Sequence, residues 1–380
     1  MKQYIIVISV ALCLVSCSHR SKHWETLAQV ESYIEERPDS ALNVIQGMDK
    51  GELSGKEEKA KHALLLSMAM DKNYIDRTDF DVLQPAIDFY EDHGSATDKL
   101  RTYYYQGRIY QNAGNDAAAM ESFVNSLDMG SESNDNLTKA RILVAQSNIY
   151  YSLMKWEKVC DVNIEAANYY NELGRTNNYV YCLLRCIGGY IQSNNFDKAK
   201  DLLGKCYQYT ENLPELLISE IYSYHLLYSV AANNFESVPL IIGEYKNKVS
   251  EENIDYLTVA GAYADIGAYD KAEDMLVRIN TKSLEDNNKT LKYYTTLIRI
   301  YRHKGDYRKV YESYLKFNEL NDSILFSIFE SDTQFIEERH ALEMQKAKET
   351  EAKNRLTIIV LACVIALMSS LYILNFIRKR

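Results

Sequence analysis

The sequence predicts an all-α fold, a solenoid of antiparallel helix pairs with one transmembrane helix at its C-terminal end. Three observations lead there. A helix–turn–helix pattern of aromatic and small residues recurs through the middle of the 380-residue chain. With only 4 Pro and 15 Gly, little in the sequence interrupts a helix. The 31 Tyr, in a chain that is 47% apolar, supply bulky side chains to fill the gaps between stacked pairs.

The first element reads as an export signal. Lys2 supplies a short positive start, and residues 4–14 form an apolar run of eleven, too short for a comfortable membrane span. Leu14-Val15-Ser16-Cys17 resembles the lipobox of bacterial lipoproteins, which implies a lipidated Cys17 as the mature N-terminus. That chemistry needs a thiol to alkylate and a small residue before the cut, here Ser16. Ser18 follows, so the aspartate that retains lipoproteins of that family at the inner membrane is missing. A plain signal peptide with an incidental cysteine is the alternative.

The repeats come next. Arg37-Pro38-Asp39-Ser40-Ala41-Leu42 reads as the turn and second-helix start of a divergent first unit, capped by Asp39 or Ser40. A second unit joins a helix near residues 57–70 to one near residues 80–90. The clearest copy spans residues 100–130. Tyr103, Gly107 and Tyr110 share one face of its first helix, Gly114-Asn115 makes the turn, and Ala119, Phe123 and Ser126 share one face of its second. The pattern returns with turns that rhyme: SLMKW, QSNNF, AANNF, DIGAY and HKGDY. Aligned from Asp116 through Trp156, Phe196, Phe235, Tyr269 and Tyr307, the spacings are 40, 40, 39, 34 and 38. Each pair buries its apolar face only against its neighbours, so the stack forms one continuous core.

Residues 319–355 contain no Pro and no Gly and read as a long charged juxtamembrane helix. Residues 356–377, opening on Leu356 and closing on Ile377, are 22 residues without a charge. At 1.5 Å per residue they reach roughly 33 Å, enough for a hydrocarbon core. Arg378-Lys379-Arg380 then forms a basic cytoplasmic tail, with the body exported.

The helical units resemble those of tetratricopeptide repeat (TPR) proteins across about residues 22–318, which implies a TPR-like right-handed superhelical α-solenoid. The whole order is more particular. The lipobox-like start, the PDSA-type first unit, the repeat array, Asn321-Asp322-Ser323, the charged helix and the single span resemble the extracytoplasmic TPR and transmembrane part of Gram-negative bacterial membrane regulators. Members of that group continue into a helix-turn-helix DNA-binding domain, whereas this sequence stops three residues after the span. The expected organisation is a lipoprotein-type signal peptide and lipobox at 1–17 and divergent helical repeats at 18–99. The TPR-like array follows at 100–318, the charged helix at 319–355, the transmembrane helix at 356–377 and the tail at 378–380. This resemblance places the chain in the bacterial cell envelope, at the inner membrane with the repeat body in the periplasm.

Charge and motifs narrow the function. All 53 acidic residues and 39 of the 43 basic ones lie between the apolar ends, leaving the body at −14 and arguing against nucleic acid as a partner. Cys160, Cys182, Cys186 and Cys206 read as buried small apolar residues, with no metal-ligand spacing among them. No GxSxG, G-x-x-x-x-G-K, HExxH or paired-Cys motif occurs, so no enzyme, cofactor or metal is expected. Recognition remains. In TPR proteins the first helices line the concave side, and the outward positions there are Arg101, Tyr104 and Arg108, then Arg141, Asn148 and Tyr151, then Lys292, Arg299 and Arg302. Basic residues gathered in an acidic body suit an acidic peptide or its C-terminal carboxylate. The competing interpretation is that these side chains only solvate helix faces. The expected function is a membrane-anchored scaffold or sensory module that binds a protein or peptide, held by residues 356–377 and a lipid on Cys17. A carbohydrate-capture or envelope-assembly lipoprotein is the alternative.

Overall fold

A computed structural model describes residues 22–279, 284 and 287–378. The export signal and Cys17 lie outside the described residues. Helices alternate along the chain: α1 (Lys22–Tyr33), α2 (Pro38–Gln46), α3 (Gly55–Lys72), α4 (Gln84–Tyr90), α5 (Ala96–Asn112), α6 (Asp116–Met129), α7 (Asn136–Ser152) and α8 (Trp156–Glu172). They continue as α9 (Thr176–Gln192), α10 (Phe196–Tyr207), α11 (Glu215–Ala231), α12 (Val238–Lys248), α13 (Tyr256–Asp265), α14 (Tyr269–Leu276), α15 (Asn287–Lys304) and α16 (Tyr307–Arg378). Odd-numbered helices are the first members of pairs and even-numbered helices the second.

Local chemistry sets the boundaries. Ser95 and Asp98 form a capping box at the start of α5. Asn115, Asp135, Asn195 and Asp255 each accept a backbone N–H at the starts of α6, α7, α10 and α13. Between the two helices of each pair from α3 onward, one residue takes a left-handed conformation: Tyr74, Gly114, Met154, Asn194, Asn233, Gly267 and Gly305. In the five rhyming turns it is always the third residue. That single positive φ reverses the chain and sets the next helix two residues on.

The helices form a double row. First helices pack on the next first helix (α1 on α3, α3 on α5, α5 on α7, α9 on α11, α11 on α13, α13 on α15), whereas second helices pack on first helices. One step differs: α7 and α9 do not approach as closely as the other neighbours in this row. The core runs between the rows. One stretch gathers Leu143, Tyr170, Leu183, Ile187, Leu203 and Ile221, and another Leu226, Ile242, Tyr245, Leu257, Tyr263 and Ile300. Both join several successive pairs, as a stack with a continuous core requires.

The chain divides into two units, Met1–Ile328 and Phe329–Arg380. The described part of the second is helical throughout, the continuation of α16. The expected transmembrane helix is not found: among the described residues no helix is long and apolar enough to cross a membrane. Residues 356–377 are not a separate element but the end of the 72-residue α16, joined without a break to the charged stretch before them. The expected anchoring by residues 356–377, and the inner-membrane and periplasmic placement drawn from it, are corrected to that extent. The all-α repeat architecture stands without the span.

Candidate functional site

The row of first helices presents one side chain per two turns to a shared face, and in the N-terminal repeats those side chains are charged. Arg101 on α5 donates to Glu31 at 2.7 Å and to Asp135 at 2.6 Å. Lys61 on α3 reaches the same Glu31 carboxylate at 2.7 Å and Asp98 at 3.2 Å. Arg141 on α7 grips both oxygens of Glu35, at 2.9 and 2.7 Å, and Lys72 donates to Glu35 at 2.8 Å. Arg108 donates to Asp71 at 3.1 Å and to Gln111 at 2.6 Å. Burial works against the Glu35 charge, but the hydrogen bonds and charge of Arg141, with Lys72, hold its carboxyl down at about 2. Burial likewise opposes Arg141, and Glu35 overcomes it, raising the guanidinium above its ordinary value. Arg101, Arg108 and Arg141 therefore lie together on this face, each with a carboxylate of its own chain. Tyr104 is buried, its ring 4.8 Å from that of Tyr105 and 6.1 Å from that of Phe123.

The centre of the face is different. Arg185 on α9 lays its guanidinium over the ring of Tyr151, 4.1 Å from the centroid, and donates to Asn148 at 3.4 Å. These contacts bridge the wider seam between α7 and α9. Tyr181, Arg185 and Gly188 share one stripe of α9, and Glu220, Tyr224 and Leu227 share one stripe of α11. A Cβ at Gly188 would stand 3.0 Å from the Tyr224 ring, so the two stripes meet there. Burial pushes the Tyr224 hydroxyl up to about 12, with Tyr151, Glu220 and Tyr181 adding to the rise. Desolvation by its neighbours also raises the Glu220 carboxyl, although the side chain is exposed, and the charges of Arg185 and Lys289 pull it back, Arg185 without pairing with it. Asn148 and Tyr151 were expected here from the sequence; Tyr181, Arg185, Glu220 and Tyr224 were not, and their signal was the four-residue spacing on α9 and α11.

Toward the C-terminal repeats, Lys292 on α15 donates to the Thr258 hydroxyl at 2.9 Å. Burial lowers its pKa, and Asp255 and Asp265 partly restore it. Beside it is a cleft of about 30 Å³ lined by Leu226, Leu227, Thr258, Gly261, Asp265 and Lys292, among others. Arg299 is paired with Asp265, and Arg302 is exposed. A roomier cleft of about 340 Å³ is lined by Lys56, Lys59, Asp81, Gln84, Pro85, Asp88 and Phe89, none of which belongs to this central group.

Other polar groups have structural partners. The Tyr207 hydroxyl and His225 Nδ1 lie 2.7 Å apart. Cys160, Cys182, Cys186 and Cys206 are buried free thiols, and Cys160 and Cys186 each donate to the other's carbonyl, at 3.5 and 3.6 Å. Among the described residues no group of three or more His, Cys, Asp or Glu side chains is placed to hold a metal ion.

Fold and face together define the class: an all-helical TPR-like solenoid whose first helices form one continuous, partly open surface. No protein-family model matches the chain, and no curated protein matches it. Solved structures do. A Rap protein complexed with competence and sporulation factor is 15% identical, with a TM-score of 0.52 over 84% of this chain and 93% of that one. The apo form of RapI is 14% identical, with a TM-score of 0.55 over 80% and 98%. NprR in complex with its cognate peptide NprX is 11% identical, with a TM-score of 0.52 over 86% and 100%. At these identities the likeness shows the fold. It corrects the expected resemblance to Gram-negative membrane regulators, which depended on a span that is not found among the described residues. The membrane-anchored lipoprotein readings, carbohydrate-capture and envelope-assembly included, lose that support with it.

Proposed function

We propose that this chain is a binding scaffold that captures a peptide or an extended protein segment along the row of first helices. The observation that carries this reading is the continuous face itself, which keeps Tyr151, Tyr181 and Leu227 each 38% exposed at its centre. Aromatic rings that remain open beside a charged side chain suit an extended segment, contributing contact area and hydroxyl groups at once. Two of the similar structures are described as complexes, one of them with a peptide, and this supports the same use of the fold here. Arg101, Arg108 and Arg141 at one end, and Lys292, Arg299 and Arg302 at the other, flank this centre in the reading. The first three reach a ligand by exchanging one carboxylate partner for another.

The test is site-specific photo-crosslinking against a random library of ten-residue peptides. A benzophenone side chain at position 181 or 227 is expected to capture selected peptides, and one at Leu240 on α12, 72% exposed, is not. Equal capture at all three positions would remove the first-helix face from the reading.

A further inference from the structure

Resting on that reading, we propose that the captured segment is a peptide that sets a carboxylate on Arg185 and a cationic group on Glu220, across the seam between α7, α9 and α11. Of the other arginines of the face, Arg101, Arg108, Arg141 and Arg299 each hold a carboxylate of the chain, and Arg302, at the C-terminal end, is exposed. Among the described residues Arg185 has no carboxylate within ion-pair distance. Its contacts are a tyrosine ring and one amide oxygen, which leave most of its fork of five N–H donors unused. The Tyr151 ring fixes the plane of the guanidinium, and a planar, pre-oriented fork is the geometry that receives a carboxylate with two parallel hydrogen bonds.

Glu220 is the complementary vacancy. It is exposed, and among the described residues it accepts no hydrogen bond and joins no ion pair. It nevertheless stands close enough to Arg185, and to Lys289 on α15, to feel both charges. Two opposite charges that face one surface without meeting call for a ligand that carries both signs. Gly188 lies on the Arg185 stripe, where a larger side chain would press on Tyr224, so α9 and α11 are closed against each other there. The wider step of the face is between α7 and α9, which stand farther apart than their neighbours. The peptide carboxylate has two possible sources, a chain terminus or an Asp or Glu side chain, and the chemistry at Arg185 is the same for both.

Peptides selected from the ten-residue library on the full chain are labelled with fluorescein and titrated by anisotropy. They are expected to be enriched in opposite charges a few residues apart. Arg185→Gln and Glu220→Gln are each expected to weaken binding by about 30-fold or more, with circular dichroism and melting unchanged. Substitutions in the peptide probe the same contacts on an unaltered protein. Loss of binding on amidating the C-terminus identifies the terminal carboxylate, and loss on Asp→Asn or Glu→Gln identifies a side chain. If peptides are captured at position 181 but bind both variants within about threefold of the native chain, this inference is overturned and the binding reading survives. If the library yields no peptide that cross-links the face, the binding reading fails, and the inference with it.

Discussion

Glu35 lies just past the end of α1, yet the arginine it holds is 106 residues away, and Glu31 one turn earlier meets an arginine 70 residues away. Bidentate pairing on a half-buried carboxylate has a measurable consequence. The ordinary value of Glu35 is 4.5 and its folded value about 2, so its contribution is complete above about pH 4.5 and is lost as pH falls toward 2. Glu35→Gln is expected to cost about 1–2 kcal/mol at neutral pH, between the values for exposed and buried pairs. It should also flatten the acid limb of stability between pH 4.5 and 2, read by urea unfolding at successive pH values. The thiols give a second residue-scale prediction. Burial pushes Cys182 and Cys206 up to about 12, so neither should react with iodoacetamide at pH 8 until the chain unfolds, as peptide mass mapping would report. Part of this was legible in the sequence. The basic residues of the face follow from helical spacing on their own helices, and buried cysteines from their apolar neighbours. Glu31 and Glu35 were not legible, because a local pattern carries no trace of a partner three repeats on. Arg185 went unread for the converse reason: its importance lies in what it lacks.

At the scale of the helix pair, the rhyming turns carried most of the information. The residues at which they were aligned, from Asp116 to Tyr307, are the residues where helices begin, Phe235 opening a short 3-10 turn before α12. The sequence alone did not show that Met154 occupies the same left-handed position as Gly114 and Gly267. A residue with a Cβ pays a steric cost there, and Met154 is 46% exposed, so its side chain contributes little burial in return. Met154→Gly is therefore expected to stabilise the chain, by roughly 0.5–1 kcal/mol in chemical denaturation. The crossing of α5 and α6 predicts the opposite sign. A Cβ at Gly107 would fall 2.5 Å from the ring of Phe123, which is fully buried and cannot swing aside. Gly107→Ala should cost about 1–3 kcal/mol, measured the same way.

Over the whole molecule, period and composition carry the repeat architecture, because a stack of similar units repeats its instructions. The C-terminal apolar run is where that reasoning failed. An uncharged stretch reads as a spanning element, whereas among the described residues no helix is long and apolar enough to cross a membrane and this stretch is the end of α16. The pairing of Glu35 with Arg141 has a consequence of another kind. A stack whose members touch only their neighbours frays from both open ends. Here the first pair is fastened directly to the fourth, in addition to its ties to the second and third. Fraying thereby acquires a direction. Amides of α13 and α15 should exchange with deuterium before those of α3 and α5, and Glu35→Gln should hasten exchange in α1 and α3 while leaving α13 at its native rate. A chain built from near-equivalent units would then have a fixed end and a loose one, chosen by two carboxylates one turn apart.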